Sequence, residues 1–208
     1  MRLLLWTRLI ALVLASPCQG AVLLYDNGVT ATNNWIVSDN SPGADQLVAD
    51  DFSLASNAAI TSIQWRGVYG RAIIPDSDNF FILISADNGG APATIALYTF
   101  EPAVTRSPQT PDLVFTYVAD ITPTTLVPGV TYWLSIFEEL PVDLRWAWLE
   151  QEGGNLYYRA NLSQPYTISI PLRTDFQLFG TPVPEPGSTF LLLAGLGLLG
   201  FVARRHKI

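Results

Sequence analysis

Between residues 21 and 182 the sequence consists of short runs of β-branched and aromatic residues punctuated by Asp, Asn, Gly and Pro, and no stretch carries sustained helical periodicity. This pattern predicts an all-β domain. Candidate strands cover residues 22–25, 47–54, 60–66, 80–86, 95–100, 113–118, 131–137, 144–150, 156–159 and 176–179. Asp26-Asn27-Gly28, Asp87-Asn88-Gly89-Gly90 and Gly153-Gly154-Asn155 supply turns between them. No helical crossover is available for a parallel sheet, and no internal repeat suggests a propeller or β-helix. The expected architecture is an antiparallel two-layer sandwich, jelly-roll-like.

Residues two apart on a strand share a face, which sketches the core. Ile63, Trp65 and Gly67 point one way and Gln64 and Arg66 the other. Residues 80–84 are apolar on both faces, the mark of a central strand. Tyr132, Leu134 and Ile136 oppose Trp133, Ser135 and Phe137, and Leu113, Phe115 and Tyr117 alternate with Val114, Thr116 and Val118, so both strands are expected to be covered on both sides. Phe176 and Leu178 point inward from the last strand.

The 208 residues suffice for one domain with appendages. Five of the 11 basic residues (Arg2, Arg8, Arg204, Arg205, Lys207) and one of the 18 acids (Glu185) lie in the terminal segments. Six arginines thus face 17 carboxylates between residues 21 and 182, a net charge of about −11 with no lysine. Such a field repels phosphate backbones and excludes nucleic acid as a partner.

The ends differ in kind from the middle. Arg2 and Arg8 flank an apolar run from residue 9 to 15, and Cys18-Gln19-Gly20 ends in small residues, which predicts a signal peptide over 1–20 cleaved after Gly20. Pro17 directly before Cys18 argues against lipidation, and cleavage removes the only cysteine. At the other end, in Pro184-Glu185-Pro186, the two prolines deny backbone donors and favour an extended linker. Residues 189–203 are uncharged and leucine-rich, and Arg204, Arg205 and Lys207 follow. A 15-residue helix is about 22 Å long against a hydrocarbon core of about 30 Å, which is marginal for a lasting span. The basic end would lie on the cytoplasmic side.

This order of Pro-Glu-Pro, apolar run and basic end resembles the PEP-CTERM sorting signal of exopolysaccharide-producing bacteria, and the resemblance is confined to the last 26 or so residues, 182–208. It implies an exported protein anchored in the inner membrane by its tail, processed near the Pro-Glu-Pro by an exosortase-type membrane enzyme, and then placed at the cell surface or in the extracellular matrix. The expected organisation is signal peptide 1–20, β-sandwich 21–181 and sorting tail 182–208.

The only histidine, His206, lies in that tail, so a Ser-His-Asp triad, a Cys-His pair, a His-ligated zinc and a histidine base are all excluded from residues 21–182. Carboxylate chemistry survives, and glycoside hydrolysis needs two acids about 5 to 10 Å apart across a cleft. Asp50-Asp51 and Glu138-Glu139 are adjacent, so their side chains diverge on a strand; Glu150 and Glu152 share a face at an expected turn. No catalytic residue is assigned. Two binding features stand out. Trp146 and Trp148 place two indoles about 7 Å apart on one face, a stacking platform for a glycan where that face is exposed and core filling where it is not. Asp76, Asp78 and Asn79 begin like a calcium loop, although Phe80 stands where another oxygen ligand is needed, and capped turns explain them equally. No other cofactor is expected. The function expected is a non-enzymatic structural or adhesive role in the exopolysaccharide layer; the alternatives are a carbohydrate-binding module and a histidine-free glycosidase.

Overall fold

A computed structural model of the protein describes residues 20–28, 34–70, 74–107, 114–140, 144–183 and 194–196. The expected signal peptide, all but Gly20, lies outside the described residues, as does all of the tail from residue 184 except 194–196, which are helical. Among the described residues no helix is long and apolar enough to cross a membrane.

Twelve strands are described: β1 (Val22–Asp26), β2 (Trp35–Val37), β3 (Leu47–Phe52), β4 (Ala58–Tyr69), β5 (Phe80–Asp87), β6 (Pro92–Phe100), β7 (Val104–Arg106), β8 (Phe115–Leu126), β9 (Tyr132–Glu138), β10 (Trp146–Arg159), β11 (Ile168–Thr174) and β12 (Phe176–Pro182). Every pairing between them is antiparallel. The hydrogen-bonded path runs β1-β12-β4-β10-β3-β9-β5-β6, with β8 on β4, β7 on β8, and β2 and β11 on β10. The fold is antiparallel β, as the strand pattern dictates.

The alternation places the core where the sequence puts it. Ile63 and Trp65 are fully buried while Gln64 and Arg66 on the opposite face are half-buried. Phe176 and Leu178 join them from β12. One cluster unites these side chains with Phe80, Ile82, Ile84, Leu134 and Ile136 of β5 and β9. Aromatic rings dominate it: Trp65 meets Phe80 edge-on with centroids 5.3 Å apart and stacks on Tyr117 at 5.6 Å. Such pairs add about 0.5–1.5 kcal/mol each beyond the area they bury. All seven residues of β9 are buried, as expected of a strand covered on both sides. On β8 the expectation of double cover is corrected: Phe115 and Tyr117 are buried, but Val118 is exposed, because β8 packs inward through one face only.

The expected turn at Gly153-Gly154-Asn155 is also corrected, since these residues lie inside β10. Both glycines adopt positive φ, 88° and 102°, and the register against β11 shifts between Glu152 and Leu156. Glycine pays no Cβ penalty there, so the pair forms a bulge through which the strand continues. Residues 146–149 of β10 pair with β2 and β4, residues 150–158 with β11 and residues 157–159 with β3, so one strand joins separate parts of the sheet. Pro171 hides β11 from sequence reading; in the structure it falls opposite that bulge, where no regular ladder partner asks for its missing N–H.

Candidate functional site

Three strand ends and two loops converge at one pole of the fold around buried acids. Tyr69 ends β4, Glu138 ends β9, Arg106 ends β7, and Asp78 precedes β5. Glu138 has no exposed surface, and the Asp78 side chain is 7% exposed. The Tyr69 hydroxyl lies 2.6 Å from Asp78 Oδ1 and 2.8 Å from Glu138 Oε1. One hydroxyl has one hydrogen, so it cannot donate to both. Burial pushes the Glu138 carboxyl from 4.5 up to about 8; the Tyr69 hydrogen bond opposes this, and the nearby Asp78 and Asp39 carboxylates reinforce it. At neutral pH Glu138 therefore carries a proton and donates to Tyr69 Oη, which donates to Asp78, which is ion-paired with Arg106 Nη1 at 2.8 Å. Arg106 also donates to the Pro75 carbonyl at 3.0 Å and lies over the Phe115 ring. Burial raises the Tyr69 hydroxyl strongly as well, so it stays protonated. Asp39, fully buried, accepts from the backbone N–H of Ser41 at 2.7 Å and of Trp146 at 2.8 Å. The cluster ties five segments together.

A second buried carboxylate, Asp50, joins distant segments. It accepts from Asn27 Nδ2 at 2.7 Å, from Thr174 N at 2.5 Å and Oγ1 at 2.9 Å, and from Asp51 N at 2.9 Å. Burial pushes it up to about 7, against the pull of the Thr174 hydrogen bonds. Asn27, expected in a surface turn, is buried, and Gln151 Nε2 donates to its carbonyl at 2.8 Å. As alternation requires, Asp51 is half-buried on the other face and Glu139 points away from Glu138, accepting from Asn40 Nδ2 at 3.0 Å. Glu150 and Glu152 lie within β10 rather than at a strand end.

The glycan platform is corrected. Trp146 and Trp148 do share a face, with centroids 6.3 Å apart, but both are 0% exposed. Trp146 packs edge-on against Phe80 and Tyr117, and Trp148 Nε1 donates to the Asp175 carbonyl at 2.9 Å. Room for the first indole comes from Gly67, where a Cβ would lie 2.5 Å from Trp146 Cζ2 and 2.7 Å from the Ala147 carbonyl. Gly67→Ala is expected to cost about 1–3 kcal/mol, read as a lower urea midpoint with an unchanged m-value.

The calcium loop is dispersed. Asp78 is committed to Arg106 and Tyr69, Asn79 Nδ2 donates to the Glu139 carbonyl at 2.7 Å, and Asp76 is exposed. Among the described residues no group of three or more His, Cys, Asp or Glu is placed to hold a metal. Beside the cluster a polar concavity of about 550 Å³ opens between Asn40, Asp45, Asn79 and Glu139. In the sequence, Asn79 of the acidic loop and Glu139 of the adjacent Glu138-Glu139 pair are the lining residues that stand out, and nothing there joins them, since the walls come from separate segments of the chain.

The sorting residues Pro184, Glu185, Pro186, Arg204, Arg205 and Lys207 lie outside the described residues. A search of curated proteins found no match. Residues 182–207 match the model of the PEP-CTERM protein-sorting motif. The C-terminal segment of this chain is therefore a PEP-CTERM sorting tail, and the tail marks an exported protein sorted by an exosortase-type membrane enzyme.

Proposed function

We propose that the protein is a non-enzymatic structural or adhesive component of the exopolysaccharide layer, delivered by its tail to the cell surface or extracellular matrix. The organisation is a signal peptide over 1–20, a β-sandwich of jelly-roll type over 21–181 and the sorting tail over 182–208. The sorting motif at 182–207 carries this reading. The chemistry of the domain agrees with it: residues 21–182 contain neither histidine nor lysine, and the two carboxyls with the largest upward shifts, Glu138 and Asp50, are buried where no substrate reaches them. The interleaved core, with β4, β8 and β12 on one side and β5 and β9 on the other, favours the sandwich.

Deleting residues 184–208 is expected to release the protein from the membrane fraction, and replacing Glu185, which removes the processing motif but leaves the apolar run, is expected to hold it there, both read by fractionation and immunoblotting; a distribution unaltered by either change would sink the sorting reading. The polar concavity supports a second reading, glycan binding. Pull-down on the producing strain's own polysaccharide separates the two, because Glu139→Ala abolishes capture only if that concavity is the glycan site.

A further inference from the structure

The two poles of the fold differ in charge. At the pole opposite the buried acid cluster lie the start of β1, the β3–β4 connection, the β8–β9 connection and the end of β12. These segments and the strand stretches that lead into them, residues 20–25, 53–65, 121–137 and 176–183, contain no charged residue, in a domain of about −11. They are held together by Gly129 N donating to the Leu54 carbonyl at 2.8 Å and Val183 N donating to the Asn57 carbonyl at 3.0 Å. Around the junction five apolar side chains face outward: Val22, Leu23, Val127, Val130 and Val183, each between 40% and 60% exposed. An open groove of about 240 Å³ runs between Val22, Leu23, Leu54 and Pro182. Two carboxylates stand at the rim: Asp87 of the β5–β6 hairpin, which accepts from Trp133 Nε1 at 2.9 Å and Gly90 N at 3.0 Å, and beside it the half-buried Asp51, opposite Trp133 on β3.

The sorting tail leaves the domain here. Five residues, 184–188, separate Val183 from the uncharged run at 189–203, and even fully extended they span at most about 18 Å. The twelve residues of β4 set the acid cluster roughly 35 Å away at the far pole. A strongly acidic domain tethered this closely to an anionic phospholipid surface is repelled unless an uncharged end faces it.

We propose that this apolar, charge-free pole docks on the phospholipid bilayer while the tail holds the protein at the membrane, with the acidic pole directed away. The proposal rests on the membrane-anchored reading of the sorting tail. Docking fixes the height of Pro184-Glu185-Pro186 above the membrane and so presents them to a membrane-embedded processing enzyme.

The test uses residues 21–208, the chain left by cleavage after Gly20, which contains no cysteine. A single cysteine at Val127→Cys, or at Ser77→Cys on the far side, carries an environment-sensitive fluorophore. The protein is reconstituted into vesicles of phosphatidylethanolamine and phosphatidylglycerol containing a lipid with a nitroxide in its acyl chain. The expected result is loss of fluorescence at position 127 and none at 77, with the loss abolished by Leu23→Asp plus Val183→Asp although the protein still floats with the vesicles. Equal quenching at both positions, none at either, or quenching at 127 that the aspartates leave intact overturns the docking surface. Quenching that requires the processing enzyme in the vesicles also overturns it, because a protein then covers the pole. Failure to float overturns the membrane-anchored reading, and docking with it, by a separate readout.

Discussion

Trp146→Ala is expected to destabilise the domain by about 3–5 kcal/mol, enough to leave much of a marginally stable protein unfolded at 37 °C. The indole is 0% exposed and wedged among Phe80, Tyr117, Trp148 and the bare backbone at Gly67. Its removal opens a cavity that the rings on two other strands, Phe80 and Tyr117, cannot collapse into, because each is fixed by edge-on contacts of its own. Thermal unfolding followed by near-UV circular dichroism and by tryptophan fluorescence measures the effect. Trp146→Phe, which keeps most of the volume, is expected to recover more than half of the loss. The same variant distinguishes core from glycan platform: a platform tryptophan would lose ligand binding with its melting temperature unchanged.

The second large effect is a dependence of stability on pH that runs opposite to ordinary acid denaturation. Glu138 holds its proton up to about pH 8 in the folded state and gives it up near 4.5 when unfolded. Between these values the folded state binds more protons, so stability falls as pH rises. The contribution is complete below pH 4.5, declines through neutrality and is gone above about 8. Asp50, raised from 3.8 to about 7, adds a decline of the same sign over a lower window. Each pKa unit corresponds to about 1.4 kcal/mol, so the Glu138 shift alone amounts to several kcal/mol. Denaturant midpoints are expected to fall between pH 5 and pH 9. Glu138→Gln, whose amide donates to Tyr69 as the protonated acid does, is expected to flatten that slope and to exceed the native protein in stability at pH 9. A midpoint that rises over this range, or a slope untouched by Glu138→Gln, contradicts the protonated core acid.

What could be read from the sequence was whatever strand alternation encodes locally. Ile63, Trp65, Phe176 and Leu178 announced their inward faces because each sits in a run of period two. Val118 was misjudged because alternation says which residues share a face, not whether a neighbour covers it. The strands β2 and β7, three residues each, are too short to show a period. The indole pair shows the same limit: the shared face of Trp146 and Trp148 was legible, but its burial depends on Gly67, some 80 residues away. The acid cluster was illegible for a similar reason. Glu138 and Asp78 are sixty residues apart, and only antiparallel pairing of β5 with β9, Phe80 opposite Glu138, brings them onto one hydroxyl.

The place of β12 has a mechanical consequence. It lies between β1 and β4, and its last residue, Pro182, is opposite Ala58 at the pole where the tail leaves. Tension between the tail and any attachment at the far pole pulls along the strand axis, so the seven residue pairs joining β12 to β4 bear the load together, in shear. A strand attached at right angles would be peeled open one rung at a time. A pull on the tail therefore meets all seven pairs at once.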